Sequence, residues 1–355
     1  MKQVTILIQA GIILLLLAQC RTAPQSLKQE KDSAGIIRPA VVTEKVKYDS
    51  DDPAIWINPD DPSQSLVLGT DKNEDGALYV FDLKGKIVAD KVVRNLKRPN
   101  NVDIEYGLSL GGKPTDIAVA TERYTHKLRI FSLPDMQPVD NGGIDVFVGE
   151  TGRDYRDLMG IALYKDPQGK VYAVVGRKSG PQDGTYLWQY LLEDNGSGSV
   201  KATLVRKFGN YSGKKEIEAI AVDDKLGYIY YSDEQFGIHK YYADPGKGNE
   251  ELAVFGKTDF AGDQEGISIY TATDSTGYIL VSDQQRNYFN VYPREGAKGN
   301  PNQHILIRAL HLSTEESDGS DVVNVPLGKD FPKGLFIAMS TDGTFQYYNW
   351  EDLVQ

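Results

Sequence analysis

Lys72, Arg123 and Lys178 each end a short β-type run, and they recur at intervals of about fifty residues. Glu234, Gln284 and Asp342 continue the series in the same frame. Three cations followed by three acidic or amide residues make a polarised set. A ring built on this repeat attracts anions over one half and hard cations over the other. Taken singly, a lysine at a strand end is a solvated loop tip. The same frame position in three consecutive units is what points to a shared anion site. A second series, Phe81, Phe131, Tyr190, Tyr241, Tyr292 and Tyr348, keeps the period with aromatic residues and reads as core between repeat units.

Carboxylates recur as well. The apolar runs that begin the units open with Asp51-Asp52, Asp103, Met159, Glu218, Glu265 and Asp321. In an antiparallel unit the start of the first strand and the end of the second lie on one rim. These openers are therefore expected to meet the lysine series at the mouth of a central channel. Crowded like charges cost free energy unless something neutralises them. An oxygen-rich cluster without histidine suits calcium, a hard ion taking six to eight oxygen ligands. The four histidines, His126, His239, His304 and His311, are isolated in sequence, and no Gly-x-Ser-x-Gly elbow or Gly-rich Lys-Ser/Thr phosphate loop is present. A metal-activated water is the better candidate nucleophile than a side chain.

The elements that must position these residues are short strands. DPAIWIN (52–58), LVLGT (66–70), ALYVFDL (77–83) and IVADKVV (87–93) form a first unit of four antiparallel strands joined by turns. Later units begin at residues 100–108, 158–165, 216–224, 264–271 and 321–328. The sixth runs out after FQYYNW (345–350), and AVVTEKV (40–46) is expected to supply its missing strand, joining the chain ends and removing exposed sheet edges. The expected fold is all-β: a six-bladed β-propeller of four-stranded antiparallel blades, one domain over residues 36–355. The 35 Gly, 16 Pro and 21 Tyr fit many short strands and turns. A formal charge of −11 argues against nucleic acid as a partner.

Residues 1–19 read as a lipoprotein-type signal peptide, with Lys2 ahead of the apolar stretch 12–18 and Leu17-Ala18-Gln19-Cys20 at its end. Cys20, the only cysteine, is the expected lipidation site, and residues 20–35 are the flexible tether from it. These features predict a monomer held at the bacterial cell envelope, periplasmic or on the outer-membrane surface, touching membrane through its lipid anchor alone.

From about residue 47 onward the chain resembles the β-propeller phytases. DSDDPAIWINP (49–59), NNVDIEY (100–106), DIAVATER (116–123), EAIAVDDKLGYIYYSDE (218–234), DQEGISIY (263–270) and GYILVSDQ (277–284) carry the resemblance. It implies a calcium-dependent phosphoric monoester hydrolase, of the 3-phytase type, acting on phytate (myo-inositol hexakisphosphate). It implies that Lys72, Arg123 and Lys178 hold substrate phosphates. It also implies that Asp51, Asp52, Asp103, Glu218, Glu234, Asp263, Glu265, Gln284 and Asp321 surround several Ca2+ ions. In the expected mechanism Glu234 orients or deprotonates the attacking water while Lys72 and Arg123 clamp the transferring phosphoryl group. Two positions depart from the family pattern: Asn73 stands where a second lysine is common, and Met159 where a tyrosine is usual. Two other readings use the same residues. One is a calcium-dependent propeller esterase or lactonase, against which the three-cation series speaks. The other is a non-catalytic extracytoplasmic propeller that binds phosphorylated ligands.

Overall fold

The computed structural model describes residues 35–354. The expected signal peptide and Cys20 lie outside the described residues. Six sheets of antiparallel strands are arranged in sequence order around a central channel. The innermost strands of blades 1 to 6 are Ser50–Trp56, Pro99–Leu110, Leu158–Lys165, Ile220–Asp223, Gln264–Thr271 and Ser320–Val323. The second strands are the most deeply covered, because a strand lies on either side and a blade packs on each face. Leu66–Asp71 and Val171–Arg177 are buried at every residue. That double burial explains why they read as continuous apolar runs rather than as alternating ones.

The sixth blade closes as expected. Val41 and Val42 pair with Tyr347 and Gln346, making the outer strand of a sheet whose other three come from the C-terminus. Backbone bonds extend this contact on both sides, from Ala40 N–H to the Tyr347 carbonyl (2.8 Å) and from Val46 N–H to the Gly343 carbonyl (2.9 Å). The first blade differs from expectation in its fourth strand. Ile87 makes only an isolated bridge to Phe81, residues Ala89–Lys91 form a 3-10 turn, and the paired strand is Val93–Leu96.

The aromatic series has a single structural meaning. Each of its six members lies in a different one of the six hydrophobic clusters, and each cluster fills the space between two adjacent blades. All six side chains are buried. The tyrosines also use their hydroxyls: Tyr190 and Tyr241 accept from the backbone N–H of Phe147 and Asn210, and Tyr292 donates to Asp259. A buried ring with a polar tip can fill the inter-blade core and fasten a loop at once.

Candidate active site

The polarised series is built by one repeated hydrogen bond. The backbone N–H of Lys72, Arg123, Lys178, Glu234 and Gln284 donates to the carbonyl of Asp49, Arg98, Asp157, Glu216 and Asp263, respectively. The sixth member of this set is Thr341, bonded to the Glu315 carbonyl, and not Asp342, which is one residue further and caps Thr344 instead. Each bond pins the residue after a second strand to the loop leading into that blade's inner strand. The residue just before is buried and holds the same loop from beneath: Asp71 accepts from Tyr48 and Asp49 N–H, Asp233 from Ser212 N–H, and Asp283 from Ala261 N–H.

Strand register corrects the carboxylate series. In blades 1, 2, 3 and 5 a β-bulge interrupts the start of the inner strand, so that Ser50 opposes Asp71 but Pro53 opposes Gly69. Counted through this bulge, the residues equivalent to Asp51 are Asn100, Met159, Glu218, Glu265 and Asp318. Asp103 and Asp321 had been expected on the rim, but they stand three residues further along their strands. Blades 1 and 2 carry the same bulge at the same place, so the offset reflects which acidic residue of each inner strand stands at the rim and which stands deeper. Asp52 is also turned away from the rim. Together with Asp103 and Asp321 it lines a channel cavity of about 220 Å3.

There each carboxylate accepts the backbone N–H of the next blade's inner strand. Asp52 takes Val102 (3.0 Å), Asp103 takes Leu163 (2.7 Å) and Asp321 takes Ile55 (2.7 Å). The three therefore stitch blades 6, 1, 2 and 3 together. Burial raises the proton affinity of all three, and Asp321 is pushed up to about 7.

On the rim the expected residues converge, with additions. The Lys72 ammonium contacts the Asp51 carboxylate and lies 3.3 Å from Oδ2 of Asp318. Asp318 also accepts from Gln284 Nε2 at 2.5 Å, linking the cationic and amide members of the series. Arg123 is buried. Its Nε donates to the Leu158 carbonyl at 3.2 Å and its guanidinium contacts the thioether of Met159. Lys178 pairs with Glu216 at 2.7 Å. Asn100 donates to Glu218, which feels both Lys72 and Arg123. Glu234 is fully buried, and the ammonium of Lys215 lies 2.6 Å from it and 2.7 Å from Asp263. Lys215, Glu216, Asn100 and Asp318 were not singled out from sequence. Glu216 and Asp263 hold the same frame position, as acceptors of the repeated backbone bond, and that spacing was the available signal.

Electrostatically the rim is short of positive charge. Burial raises Asp51 and Glu265 well above the ordinary carboxylate range, and mutual repulsion adds to it. Glu234 is pushed up to about 9, first by burial and then by Glu218 and Glu216, with Lys215 only partly offsetting them. Lys72 moves upward as well, because Asp51, Glu218 and Asp318 outweigh the cost of burying its charge. An ion pair by itself would pull Asp51 down. Burial outweighs that pull on Asp51, and Glu218 and Asp318 add their repulsion to it.

Among the described residues two groups could hold a metal: Glu216, Glu218 and Glu234, and Glu234, Asp263 and Glu265, with ligand oxygens within 4.8 Å of one another in each. Glu234 belongs to both. Buried oxygens of Asp51 (Oδ2), Glu234 (Oε1) and Glu265 (Oε2) have no hydrogen-bond partner among the described residues. Such orphaned acceptors in an all-oxygen set fit a hard divalent cation. The departures from the family pattern are accommodated locally. Met159 supports Arg123, Asn73 caps the turn at Asp75, and the Tyr155 ring lies over the Arg177 guanidinium, 5.3 Å from its centre.

Comparison with known proteins agrees with this geometry. The family model described as Phytase matches residues 3–347. A 3-phytase of Bacillus subtilis (strain 168) is 30% identical over 324 residues, which cover 86% of this chain and 80% of the relative. The chain belongs to the phytase family.

Proposed function

We propose that this protein is a calcium-dependent phytase, a phosphoric monoester hydrolase that releases inorganic phosphate from myo-inositol hexakisphosphate. Family membership supports the reaction class. The observation that carries the residue assignment is the repeated backbone bond, which sets Lys72, Arg123 and Lys178 on the same rim as Glu234 and Gln284. A polyanionic substrate needs both halves: cations to bind its phosphates, and a metal-holding side to neutralise charge where the phosphoryl group transfers.

Glu216, Glu218, Glu234, Asp263 and Glu265 are the residues that would hold calcium at the rim, with Asp51, Gln284 and Asp318 beside them. Bound there, calcium supplies neutralisation of phosphoryl oxygens and a lower pKa for water in its coordination shell. Lys72 and Arg123 bind the oxygens of the phosphoryl group under attack. The burial of Arg123 and its bond to the Leu158 carbonyl fix the direction in which it presents its remaining donors. Glu234 receives the proton of the attacking water, a role favoured by its place in both carboxylate groups and by a buried Oε1 with no hydrogen-bond partner among the described residues. Lys178, more exposed and paired with Glu216, holds a neighbouring phosphate and so favours substrates with adjacent groups. Asp52, Asp103 and Asp321 are candidate ligands for a further ion in the channel, apart from the reacting phosphate.

Export and lipid anchoring through Cys20, and action as a monomer at the cell envelope, belong to the same reading. They are supported by the residues before the propeller. The deciding experiment is phosphate release from phytate with and without added calcium. Release that persists in excess chelator would reject the calcium mechanism, and binding without release would make the protein a phosphate-ligand receptor.

A further inference from the structure

The Lys215 side chain occupies an unusual place for a rim lysine. Its ammonium lies 2.6 Å from Glu234, 2.7 Å from Asp263 and 3.9 Å from Glu265, inside one of the two carboxylate groups that could hold a metal. Glu234 and Glu265 nevertheless each keep a buried oxygen without a partner. One ammonium does not satisfy three carboxylates.

Calcium binds carboxylate oxygens at about 2.3–2.6 Å. The Lys215 nitrogen already stands at almost that distance from two of the same oxygens. The ion and the ammonium therefore cannot share the pocket. Lys215 is able to leave it, because its side chain is 37% exposed whereas those of Glu234 and Glu265 are 0% and 4% exposed. The backbone need not follow, since the Lys215 carbonyl is held by the Tyr211 hydroxyl.

We propose that Lys215 is a built-in counter-cation of the Glu234–Asp263–Glu265 pocket, competing with calcium for these carboxylates and so setting the calcium concentration at which the site fills. This rests on the calcium reading above. Its consequence is a graded site: the carboxylates stay compensated at low calcium, and the ion must displace an internal charge to enter.

The test is calcium affinity, measured by calorimetry and by terbium luminescence on the full propeller. Lys215→Met, which keeps the length of the stem without the charge, is expected to tighten the weakest rim site about tenfold or more, equivalent to roughly 1.4 kcal/mol. Lys215→Arg is expected to stay within about threefold of wild type, because it keeps the competing charge. Equal affinity in wild type and Lys215→Met would overturn the proposal while leaving the calcium reading intact. Absence of calcium binding in every variant would overturn both. Reductive methylation of wild-type Lys215, followed by mass spectrometry, gives a readout that needs no variant. Its rate is expected to rise when calcium is added, and an unchanged rate would count against displacement.

Discussion

Arg123 is held by Met159: the guanidinium contacts the thioether sulfur while Nε donates to the neighbouring Leu158 carbonyl at 3.2 Å. A soft, polarisable side chain thus stands where relatives are expected to carry a phenol, and it positions a cation. Met159 is 1% exposed, so its replacement tests support and packing separately. Met159→Leu keeps the volume and is expected to cost less than about 1.5 kcal/mol of stability. It removes the sulfur contact, so kcat/KM for phytate should fall several-fold, chiefly through KM. Met159→Ala adds a cavity and should cost about 2–5 kcal/mol as well. Thermal melts and steady-state kinetics on both variants check this. Leucine kinetics equal to wild type would show that the sulfur has no positioning role.

Glu234 has one oxygen beside the Lys215 ammonium and one buried oxygen with no partner among the described residues. Replacing it with glutamine keeps the shape and relieves a crowded carboxylate group, so the fold should survive and melt no lower than wild type in chelator. Loss of a positioned proton acceptor should reduce kcat by about 10²–10⁴-fold. Single-turnover phosphate release, with circular dichroism to verify folding, measures both. Turnover within a few-fold of wild type would remove Glu234 from the reaction.

Calcium removal should lower activity and stability together. An ion that binds only the folded chain adds to folding free energy, by about 2.7 kcal/mol at a hundredfold excess over its Kd. The rim supplies the physical reason, since burial and repulsion already raise Asp51, Glu218 and Glu265 above their ordinary range. Scanning calorimetry in chelator and in calcium, paired with phytate hydrolysis, reads both effects. A melting temperature that does not move with calcium would separate the rim carboxylates from metal binding.

How much of this was written in the sequence depends on the kind of periodicity involved. The aromatic series and the run ending at Lys72, Arg123, Lys178, Glu234 and Gln284 follow one residue per blade at fixed register, so they survive reading by eye. The carboxylate series did not, because acidic residues occur at two depths of the inner strands, the rim and the channel wall, and a sequence read by eye does not say which depth a given carboxylate occupies. Asp321 and Asp103 looked equivalent to Asp51 when they are equivalent to Ala54, and Asp318 and Asn100 were passed over. Asp342 was displaced by one residue, since the last blade's second strand ends at Ser340 and Thr341 makes the repeated bond. Lys215 was invisible for a different reason. Its neighbours in sequence are another lysine and a glutamate, and only the folded loop carries its ammonium to Glu234 and Asp263.

His304 provides a pH test that is independent of the rim. It packs between blades 4 and 5, edge-on to Tyr230 and 4.6 Å from the Phe255 ring centre. Its Nδ1 faces the Pro293 carbonyl at 2.8 Å, which fixes the proton on that nitrogen and leaves Nε2 toward the Lys240 ammonium at 3.3 Å. Burial first, and then Lys240, lower its pKa to about 4 from an ordinary value of 6.5. The folded chain therefore keeps His304 neutral in a range where the unfolded chain binds a proton. Its contribution to stability is fully present above pH 6.5 and is lost as pH falls toward 4, by roughly 3 kcal/mol in total. In urea titrations with chelator present throughout, the stability of wild type relative to His304→Gln should shrink by about that amount between pH 7 and pH 4. A difference that stays constant across this range would mean that His304 is charged, or solvated, within the fold.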